Sequence, residues 1–246
     1  MNRKFGWRGY IRDHRDDRFK LASPNMSSLP MRWSLAENCT RIEDQEQSSA
    51  CTGYGSCYPA ESWTSRMGAD FVELSPYFIY WVGRYMSGLE DVDGGGYVRD
   101  VLKALTKFGV CQLGYWESDY SKINEKPSKE AFLDAETRKI ESYHRCDSVE
   151  AICSALAQNL PVVWGFSCYE SYDSEETYRT GVIQFPQSWE RLRGGHCTSV
   201  YAYDRQKQVF RGPNSYSDKW GNKGWYEIPF RFFEEGLANE AFAIVR

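Results

Sequence analysis

The clearest pattern of apolar and polar positions lies between Tyr97 and Gly109. Five apolar residues of this segment fall on one face of a helix: Val98, Val101, Leu102, Leu105 and Phe108. Apolar residues at this spacing are typical of an amphipathic helix, and a glycine suits its C-terminal stop. The pattern therefore predicts a helix that begins after Tyr97 and ends at Gly109.

Other segments predict further helices, including short ones at about 128–136 and at 230–236, and several strands. Residues 76–87 begin with proline, which a first helical turn tolerates, and Gly88 marks their end. Residues 147–159 are amphipathic, whereas the continuous apolar run at 161–168 is typical of a buried strand. Residues 169–194 are predicted to form a long polar loop with scattered aromatic residues, and loops of this length are often functional.

Further strands are predicted from short or alternating apolar runs at 138–145, 196–204, 208–214, 225–229 and 241–246. Helices come first along the chain and strands later, so the predicted fold class is α+β.

The length and composition of the chain limit its architecture and its location. The chain has 246 residues, 41% of them apolar, which is enough for a large core. This length fits one domain of two lobes or two closely fused domains, and we favour the former. No run approaches eighteen apolar residues and no apolar leader segment is present, so neither a membrane span nor a secretory signal is predicted. We therefore expect a cytoplasmic or otherwise intracellular protein without a membrane partner.

The charge of the chain is unevenly distributed. There are 30 basic and 34 acidic residues, and the net charge of −4 argues against a nucleic-acid partner. Residues 1–20 hold seven basic and three acidic residues, so the rest of the chain is acidic. Residues 1–28, with aromatic residues among these charges, are interpreted either as an arm that packs across an acidic body or as a solvated tail.

The eight cysteines form no CxxC pair and have no regular spacing: Cys39, Cys51, Cys57, Cys111, Cys146, Cys153, Cys168 and Cys197. This pattern does not predict a zinc site, and we expect neither a metal nor a cofactor. If Cys51 is reactive, the other seven cannot all pair, which favours a reducing compartment over a disulfide framework.

Candidate chemistry centres on residues 44–51, DQEQSSAC. The segment that follows is compatible with a helix, so Cys51 lies at a helix start, where unpaired backbone N–H groups favour a thiolate. A thiolate nucleophile also needs a proton acceptor and a group that orients this acceptor. His196 lies 145 residues after Cys51, and Asn214 follows 18 residues later. Considered alone, Cys51 could equally be a small buried residue of the core, and His196 could be a structural histidine. The prediction of a catalytic site therefore depends on the order and spacing of these residues.

Segments along nearly the whole chain resemble the papain-like cysteine peptidases, and in particular the compact bacterial branch that includes xylellain. The matching segments follow each other in the expected order: FGWRGYIRDHRDDRF, ENCTRIEDQEQSSACT, LSPYFIYW, GGYVRDVLKALTKFGV, NLPVVWGFSCYESY, GGHCTSVYAYD and NSYSDKWGNKGWYEIPF. The resemblance implies a papain-like fold, thiol endopeptidase activity on a peptide or protein, no cofactor, and a bacterial or phage source.

The resemblance also assigns roles to four residues. It implies that Cys51 is the nucleophile and that His196 is the general base and later the acid. Asn214 matches the amide that orients the imidazole, and Gln45 matches the glutamine that donates to the oxyanion together with the Cys51 N–H. Pairing with His196 is expected to lower the pKa of Cys51.

The resemblance implies two lobes within a peptidase domain at 29–246. A helical lobe at about 40–112 would carry the nucleophile, and a β-rich lobe at about 113–246 would carry the histidine and asparagine. The active-site cleft would lie between the lobes. Residues 1–28 are expected to contact this cleft as a short inhibitory arm, because they are basic and rich in aromatic residues.

Four further residues are candidates for substrate binding: Gly95, Gly96, Ser49 and Trp220. Gly95 and Gly96 resemble the wall along which the family pairs the substrate backbone, although a turn before a helix is the alternative. Trp220 resembles the tryptophan that covers the asparagine side of the site, although an ordinary core tryptophan is the alternative. Ser49 stands in the family's Gly-Ser before the nucleophile, where a side chain is expected to narrow the leaving-side subsite.

The chain departs from the family pattern at three other positions. Glu46 replaces the glycine after Gln45, Tyr216 replaces a tryptophan, and Ser48 replaces a cysteine that forms a family disulfide. Glu46, Ser49 and Tyr216 motivate an alternative function, a catalytically weakened papain-fold module that binds a peptide or protein. A third possibility is a transferase that passes the acyl group to an amine.

Overall fold

The computed structural model describes residues 4–20, 26–39, 41–66 and 71–245. Its α-helices are α1 (Cys51–Arg66), α2 (Pro76–Tyr85), α3 (Val98–Lys107), α4 (Lys129–Ala135), α5 (Val149–Ala157), α6 (Glu175–Thr180) and α7 (Arg231–Glu234). Short 3-10 turns lie at Met26–Ser28, Ala36–Asn38, Leu113–Tyr115, Tyr120–Lys122 and Glu170–Asp173. Across these described ranges, no helix is both long and apolar enough to cross a membrane.

The strands form two antiparallel sheets of four strands each. They are β1 (Arg32–Ser34), β2 (Ser142–Arg145), β3 (Val162–Tyr169), β4 (Leu192–Val200), β5 (Ala202–Asp204), β6 (Val209–Pro213), β7 (Trp225–Pro229) and β8 (Glu240–Val245). One sheet has the order β2-β8-β3-β4 and the other the order β1-β5-β6-β7. Together with the helices they confirm the predicted α+β class.

One hydrophobic core forms where α1, α2 and α3 pack together. The apolar face predicted for α3 is buried there at Val98, Val101, Leu102 and Leu105. Gly83 of α2 allows the close packing, because a Cβ at this position would lie 2.6 Å from Val101 Cγ2.

A second core is built on β3, α5 and the facing strands. Its largest side chains are aromatic and include Trp164, Phe166, Phe210 and Tyr226. Fully burying such a side chain is worth roughly 1.5–3 kcal/mol, so these rings hold the two sheets together. The expected lobe boundary near residue 112 stays a prediction, although the two cores match the idea of two lobes.

Helix α1 joins the two cores because it lies directly against β4. A Cβ on Gly55 of α1 would lie 2.8 Å from Thr198 Cα, so only glycine permits this approach. The Ser199 hydroxyl of β4 donates to the Gly55 carbonyl and fixes the contact. The start of α1 is thereby held beside the strand that carries His196.

Several predicted elements are confirmed, and others differ from the prediction. Helices α2, α3 and α5 and strand β3 lie where the apolar patterns predict them. The loop predicted at 169–194 is wrong in part, because it contains α6, which the Ser174 side chain caps, and the first residues of β4. The strand predicted at 138–145 is present only at 142–145. Strand β1 was not predicted, because three residues are too few to reveal an alternation.

Candidate active site

Cys51 is the first residue of α1 and is completely buried. The Ala50 carbonyl accepts hydrogen bonds from Gly53 N and Tyr54 N and so begins the helix. The backbone N–H of Cys197 hydrogen-bonds the Cys51 sulfur. The structure therefore brings the predicted nucleophile against the residue that directly follows His196.

His196 lies on β4, and Asn214 holds its imidazole. Nε2 of His196 is 2.8 Å from Asn214 Oδ1. An amide oxygen can only accept, so Nε2 carries the proton of this pair and Nδ1 is the basic atom of a neutral ring. Asn214 directly follows β6, and Ser215 N donates to the same Oδ1 over 2.9 Å. The predicted order of histidine and asparagine thus corresponds to a hydrogen-bonded pair.

Aromatic rings enclose the imidazole of His196. Phe166 meets it edge-on, with ring centroids 5.7 Å apart and an interplanar angle of 87°. The rings of Tyr216 and Tyr172 lie at centroid distances of 5.0 Å and 5.9 Å. Trp220 packs behind both tyrosines and is 3% exposed. Trp220 therefore covers this side of the site through the two tyrosines.

Tyr172 is a site residue that the sequence did not single out. Its hydroxyl accepts a hydrogen bond from Asn214 Nδ2 over 3.3 Å. The residue lies in the 3-10 turn Glu170–Asp173, which directly follows β3. The aromatic content of residues 169–194 was the signal for it, but no spacing rule identifies one ring among several.

Gln45 is buried beside the start of α1. Its Nε2 donates to Ser48 O over 2.8 Å and to Lys4 O over 3.4 Å. Its Oε1 accepts from Ser215 Oγ over 2.7 Å, and its backbone N–H donates to Ser215 O over 2.9 Å. Ser215 therefore connects the Gln45 segment to Asn214, and the Gln45 amide already faces a peptide carbonyl.

The N-terminal arm packs on the protein wherever it is described. Of the predicted arm, residues 1–3 and 21–25 lie outside the described residues. Residues 4–8 run through the cleft beside Cys51, and the arm then continues along the body to residue 20. The solvated-tail alternative does not fit these contacts.

Arm residues 6–8 pair with the Gly95-Gly96 wall in extended form. Gly96 N donates to Gly6 O over 2.8 Å, and Arg8 N donates to Gly96 O over 3.1 Å. Gly95 has a φ of +83°, and a Cβ there would lie 2.2 Å from Gly6 O. The two glycines therefore allow an extended chain to lie directly on this wall, in the way predicted for a substrate.

The arm also covers Cys51 and contacts β4 on the other side. A Cβ on Gly6 would lie 3.1 Å from Cys51 Sγ and 1.8 Å from Ser49 O, so only glycine fits here. Trp7 N donates to Gly195 O over 2.9 Å. One short segment thus lies between α1 and β4.

Two contacts outside the cleft hold the arm. Asp16 and Arg99 form an ion pair whose side chains are both less than a tenth exposed. Further on, Arg145 N of β2 donates to Asp17 O over 2.8 Å, and Phe19 N donates to Arg145 O over the same distance. The arm is therefore held at the cleft, on α3 and at the edge of a sheet.

With the arm in place, burial raises the pKa of the Cys51 thiol to about 12. Hydrogen bonds from the backbones of Cys197, Gly6 and Thr52 oppose this rise but do not overcome it. The lowered pKa expected from the sequence is therefore not found in this state, because desolvation disfavours a thiolate more than the helix start favours it.

Ser49 is bound to Asp93. Its hydroxyl donates to Asp93 O over 3.2 Å, and Ser49 N donates to Asp93 Oδ1 over 3.0 Å. Tyr80 donates to the same carboxylate oxygen and accepts from Gly95 N. Ser49 thus ties the nucleophile loop to the Gly95-Gly96 wall, and the predicted role in a leaving-side subsite stays a prediction.

The family model for papain family cysteine proteases matches residues 27–244 of this chain. The chain belongs to the papain family of cysteine proteases. Xylellain, a cysteine protease from Xylella fastidiosa, superposes with a TM-score of 0.89 at 26% identity, covering 98% of this chain and 95% of that one. Procathepsin B S9 from Trypanosoma congolense has a TM-score of 0.74 at 14% identity over 98% of this chain and 86% of that one, a likeness of fold alone.

Two sequence relatives carry the same family assignment. An uncharacterized peptidase C1-like protein of Acanthamoeba polyphaga mimivirus is 32% identical over 180 residues, which are 69% of this chain and 58% of that protein. Cathepsin B-like cysteine proteinase 3 of Ostertagia ostertagi is 30% identical over 89 residues, which are 35% of this chain and 48% of that protein. The chain thus spans about half the length of these relatives.

Two of the positions at which the chain departs from the family pattern, Glu46 and Ser48, have defined local conformations or contacts. Glu46 replaces a glycine and has a φ of +50°, a conformation that favours glycine. Ser48, in place of a disulfide cysteine, donates from its hydroxyl to Gln45 O over 2.7 Å. All eight cysteines are free thiols, and the described residues contain no cluster of side chains suited to hold a metal ion.

Proposed function

We propose that this chain hydrolyses peptide bonds through an acyl-enzyme on Cys51. The observation that carries the proposal is the 2.8 Å hydrogen bond between His196 Nε2 and Asn214 Oδ1. The residue after His196 on β4, Cys197, hydrogen-bonds the Cys51 sulfur through its backbone N–H. This pair leaves Nδ1 of the imidazole as the atom that can take a proton from a nucleophile.

In the proposed reaction, Cys51 Sγ attacks the carbonyl carbon of the substrate while the thiol proton moves to His196 Nδ1. The C–N bond then breaks as the imidazolium returns this proton to the leaving amine, and a thioester remains. Water attacks the thioester with His196 as the base, which releases the carboxylic acid and restores the thiol.

Gln45 Nε2 and the Cys51 N–H are the proposed donors to the oxyanion. Gln45 supports this role because its amide donates to the carbonyl of Lys4 in the arm. A fixed donor that meets the charge as it develops contributes roughly 2.7–4 kcal/mol of transition-state stabilisation. Asn214 would keep the imidazole in the required tautomer and orientation.

The test is covalent labelling by an epoxide or vinyl-sulfone probe, read by mass spectrometry of each cysteine. In the full chain carrying Trp7→Ala, which weakens the attachment of the arm, we expect Cys51 to be labelled and the label to be lost when Cys51→Ala is added. Cys57→Ala is the matched control, because Cys57 is also buried in α1, and labelling should persist in it. Labelling at another cysteine, or none after the arm is displaced, would refute the proposal.

We further propose that the arm keeps the enzyme inactive until it is displaced. Residues 6 and 7 occupy the gap between the nucleophile and β4 through backbone hydrogen bonds, so a substrate cannot pair with Gly96 at the same time. The buried thiol of this state is also protonated at neutral pH, because its pKa is raised to about 12.

The second candidate is a papain-fold module that binds a peptide without cleaving it, and the raised pKa of Cys51 favours it. The two functions predict different pH dependences of Cys51 alkylation in the full chain carrying Trp7→Ala, a change that weakens the attachment of the arm. If the chain is a peptidase, Cys51 should react with iodoacetamide well below pH 8. An ordinary thiol that reacts only near or above its usual pKa of about 8.5 would favour the binding module.

A further inference from the structure

Asp93 places a nearly buried carboxylate on the connection between α2 and α3, just before the Gly95-Gly96 wall. Its side chain is 7% exposed. Its Oδ1 accepts hydrogen bonds from Ser49 N over 3.0 Å and from the Tyr80 hydroxyl over 2.9 Å. Its Oδ2 accepts from the Tyr120 hydroxyl over 3.3 Å. A carboxylate at this depth needs such donors to replace the water that it has lost.

Helix α2 fixes the position of Asp93 through two side chains. Arg84 Nη1 donates to Val92 O over 2.6 Å, and the Arg84 guanidinium lies 4.1 Å from the centroid of the Tyr80 ring. The Tyr80 hydroxyl, which donates to Asp93, accepts from Gly95 N over 2.9 Å. Both Arg84 and Tyr80 are fully buried. These contacts hold Asp93 and the wall together without any contribution from the arm.

Residues 44–50, which we call the nucleophile loop, are held from two sides. On the side of the β-strands, Gln45 N donates to Ser215 O, and Gln45 Oε1 accepts from Ser215 Oγ. On the side of the wall, Ser49 N donates to the Asp93 carboxylate, and Ser49 Oγ donates to Asp93 O over 3.2 Å. Asp93 therefore links the loop to the wall.

The nucleophile loop lacks a covalent crosslink at the position where the family has one. Ser48 replaces the disulfide cysteine and donates to Gln45 O within the loop, and all eight cysteines are free thiols. The proposed oxyanion donors are Gln45 and the N–H of Cys51, which directly follows the loop. Catalytic groups must be held within about 0.5 Å of the productive geometry. In this chain the hydrogen bonds of Asp93 take the place of the crosslink in holding them.

We infer that Asp93 is a positioning residue for catalysis, whose carboxylate holds the nucleophile loop at the distance from the Gly95-Gly96 wall that brings the oxyanion donors to the carbonyl of a bound substrate. The inference rests on the proposed peptidase function. Asp93 acts through these donors and not on the reacting atoms. Backbone pairing of a substrate with Gly96 does not require Asp93, so its loss should appear in kcat and not in KM.

The arm binds the same carboxylate. Lys4 Nζ pairs with Asp93 Oδ2 over 3.2 Å and donates to the Tyr120 hydroxyl over 2.9 Å. The Lys4 side chain is 47% exposed, so solvent weakens this ion pair. Removing Asp93 would loosen the arm slightly, which by itself would only raise activity. A fall in activity must therefore come from the nucleophile loop.

The first test is steady-state kinetics with a peptide substrate in the full chain carrying Trp7→Ala. Asp93→Ala should lower kcat about 10- to 100-fold with KM nearly unchanged, since a displacement of about 1 Å costs this much. Asp93→Asn should keep most of kcat, because its Oδ1 can still accept from Ser49 N and the Tyr80 hydroxyl. Asp204→Ala is the matched control and should stay near the parent.

Asp204 suits this purpose because its side chain is also 7% exposed and accepts from two backbone N–H groups, those of Gln206 and Lys207, at the end of β5. Equal kcat values in Asp93→Ala and Asp204→Ala, or a loss confined to KM, would overturn the inference. If Asp93→Ala does not fold, Tyr80→Phe replaces it. This variant removes only the hydroxyl between Asp93 and Gly95 and should lower kcat about threefold to tenfold.

A double-variant cycle tests whether Asp93 acts through the oxyanion donors. Asp93→Ala should lower kcat less than about threefold once Gln45→Ala is present, because both changes remove the same transition-state stabilisation. Lys4→Met removes the partner of Asp93 in the arm alone and should not lower kcat. Fully multiplicative effects of Asp93→Ala and Gln45→Ala would overturn the inference.

Hydrogen exchange of the same variants, read by mass spectrometry of peptides that cover residues 44–50, requires no catalysis. Asp93→Ala should speed exchange in the nucleophile loop at least about tenfold, whereas Asp93→Asn should match the parent. Unchanged exchange in Asp93→Ala would overturn the inference even if kcat falls. If the chain carrying Trp7→Ala cleaves no peptide, the peptidase function is refuted, and faster exchange in Asp93→Ala would still identify Asp93 as the anchor of the loop.

Discussion

At the scale of single residues, the Asn214 amide is held at both ends. Its Oδ1 accepts from His196 Nε2 and from Ser215 N, while its Nδ2 donates to the Tyr172 hydroxyl. Rotating this amide by half a turn would put its NH2 group against two donors, His196 Nε2 and Ser215 N, so these two contacts fix its orientation. Tyr172 therefore acts as a positioning residue for the asparagine, and through it for the imidazole.

We predict that Tyr172→Phe lowers kcat/KM roughly 3- to 10-fold, the equivalent of one neutral hydrogen bond, because the ring stays but the acceptor for Asn214 Nδ2 is lost. The pH profile of Cys51 alkylation should shift as well, since a loosened amide holds the imidazolium less well. Tyr203→Phe is the control: it also removes a hydroxyl that makes a hydrogen bond, to Pro30 O, but far from the site. Identical pH profiles in both variants would mean that Tyr172 only fills space.

We predict that Gln45→Ala lowers kcat about 10²- to 10³-fold with a smaller change in KM, because it removes a donor that acts mainly in the transition state. Steady-state kinetics with a peptide substrate measures this effect. Gln45 also bonds Ser48 and Ser215, so thermal unfolding must be followed in parallel. A stably folded variant with unchanged kcat would exclude Gln45 from the oxyanion site.

At the scale of elements, the arm depends on a few contacts, and the ion pair of Asp16 with Arg99 is the most buried of its charged ones. We predict that Asp16→Asn opens the arm and raises the rate of Cys51 alkylation at least about tenfold, because the arm then loses its most buried charge pair with the body of the protein. Asp13→Asn is the matched control, since Asp13 pairs with the exposed Arg15 of the arm itself. Equal rates in the two variants would show that this ion pair does not hold the arm.

The elements differ in how far the sequence alone could predict them. Helix α3 was predictable because its burial follows a local period, and Gly109 at its end has the positive φ that a stop requires. Strand β1 was not, because its pairing with β5 brings together residues about 170 positions apart. Tyr172 and Trp7 look in sequence like ordinary scattered aromatic residues. Their roles come from partners on distant segments, which no local pattern encodes.

Cys51 shows the same limit for electrostatics. Its position at a helix start was predictable from the sequence, and His196 and Asn214 were its candidate partners once the family resemblance was considered. The direction of its pKa was not, because this depends on whether the arm excludes water from the sulfur. A local pattern thus gives the groups of a site, while the packing of the whole chain sets their protonation.

At the scale of the whole molecule, Glu240 links the stability of the fold to pH. Burial raises the pKa of Glu240 from an ordinary 4.5 to about 7, so between these values the folded protein binds a proton that the unfolded chain has released. The contribution of Glu240 to the free energy of unfolding is therefore fully present below pH 4.5 and is lost as the pH rises through 7. The slope is about 1.4 kcal/mol per pH unit, and the total is on the order of 3 kcal/mol.

We predict that Glu240→Gln removes this dependence. The amide oxygen can still accept from Trp7 Nε1, which donates to Glu240 Oε2 over 2.6 Å, but the amide does not titrate. Urea unfolding at pH 4.5, 6 and 8 measures the effect as a difference in slope between parent and variant. Glu235→Gln is the matched control, since it makes the same substitution at an exposed glutamate on the connection before β8. Parallel curves for the parent and Glu240→Gln would mean that Glu240 stays ionised beneath Trp7.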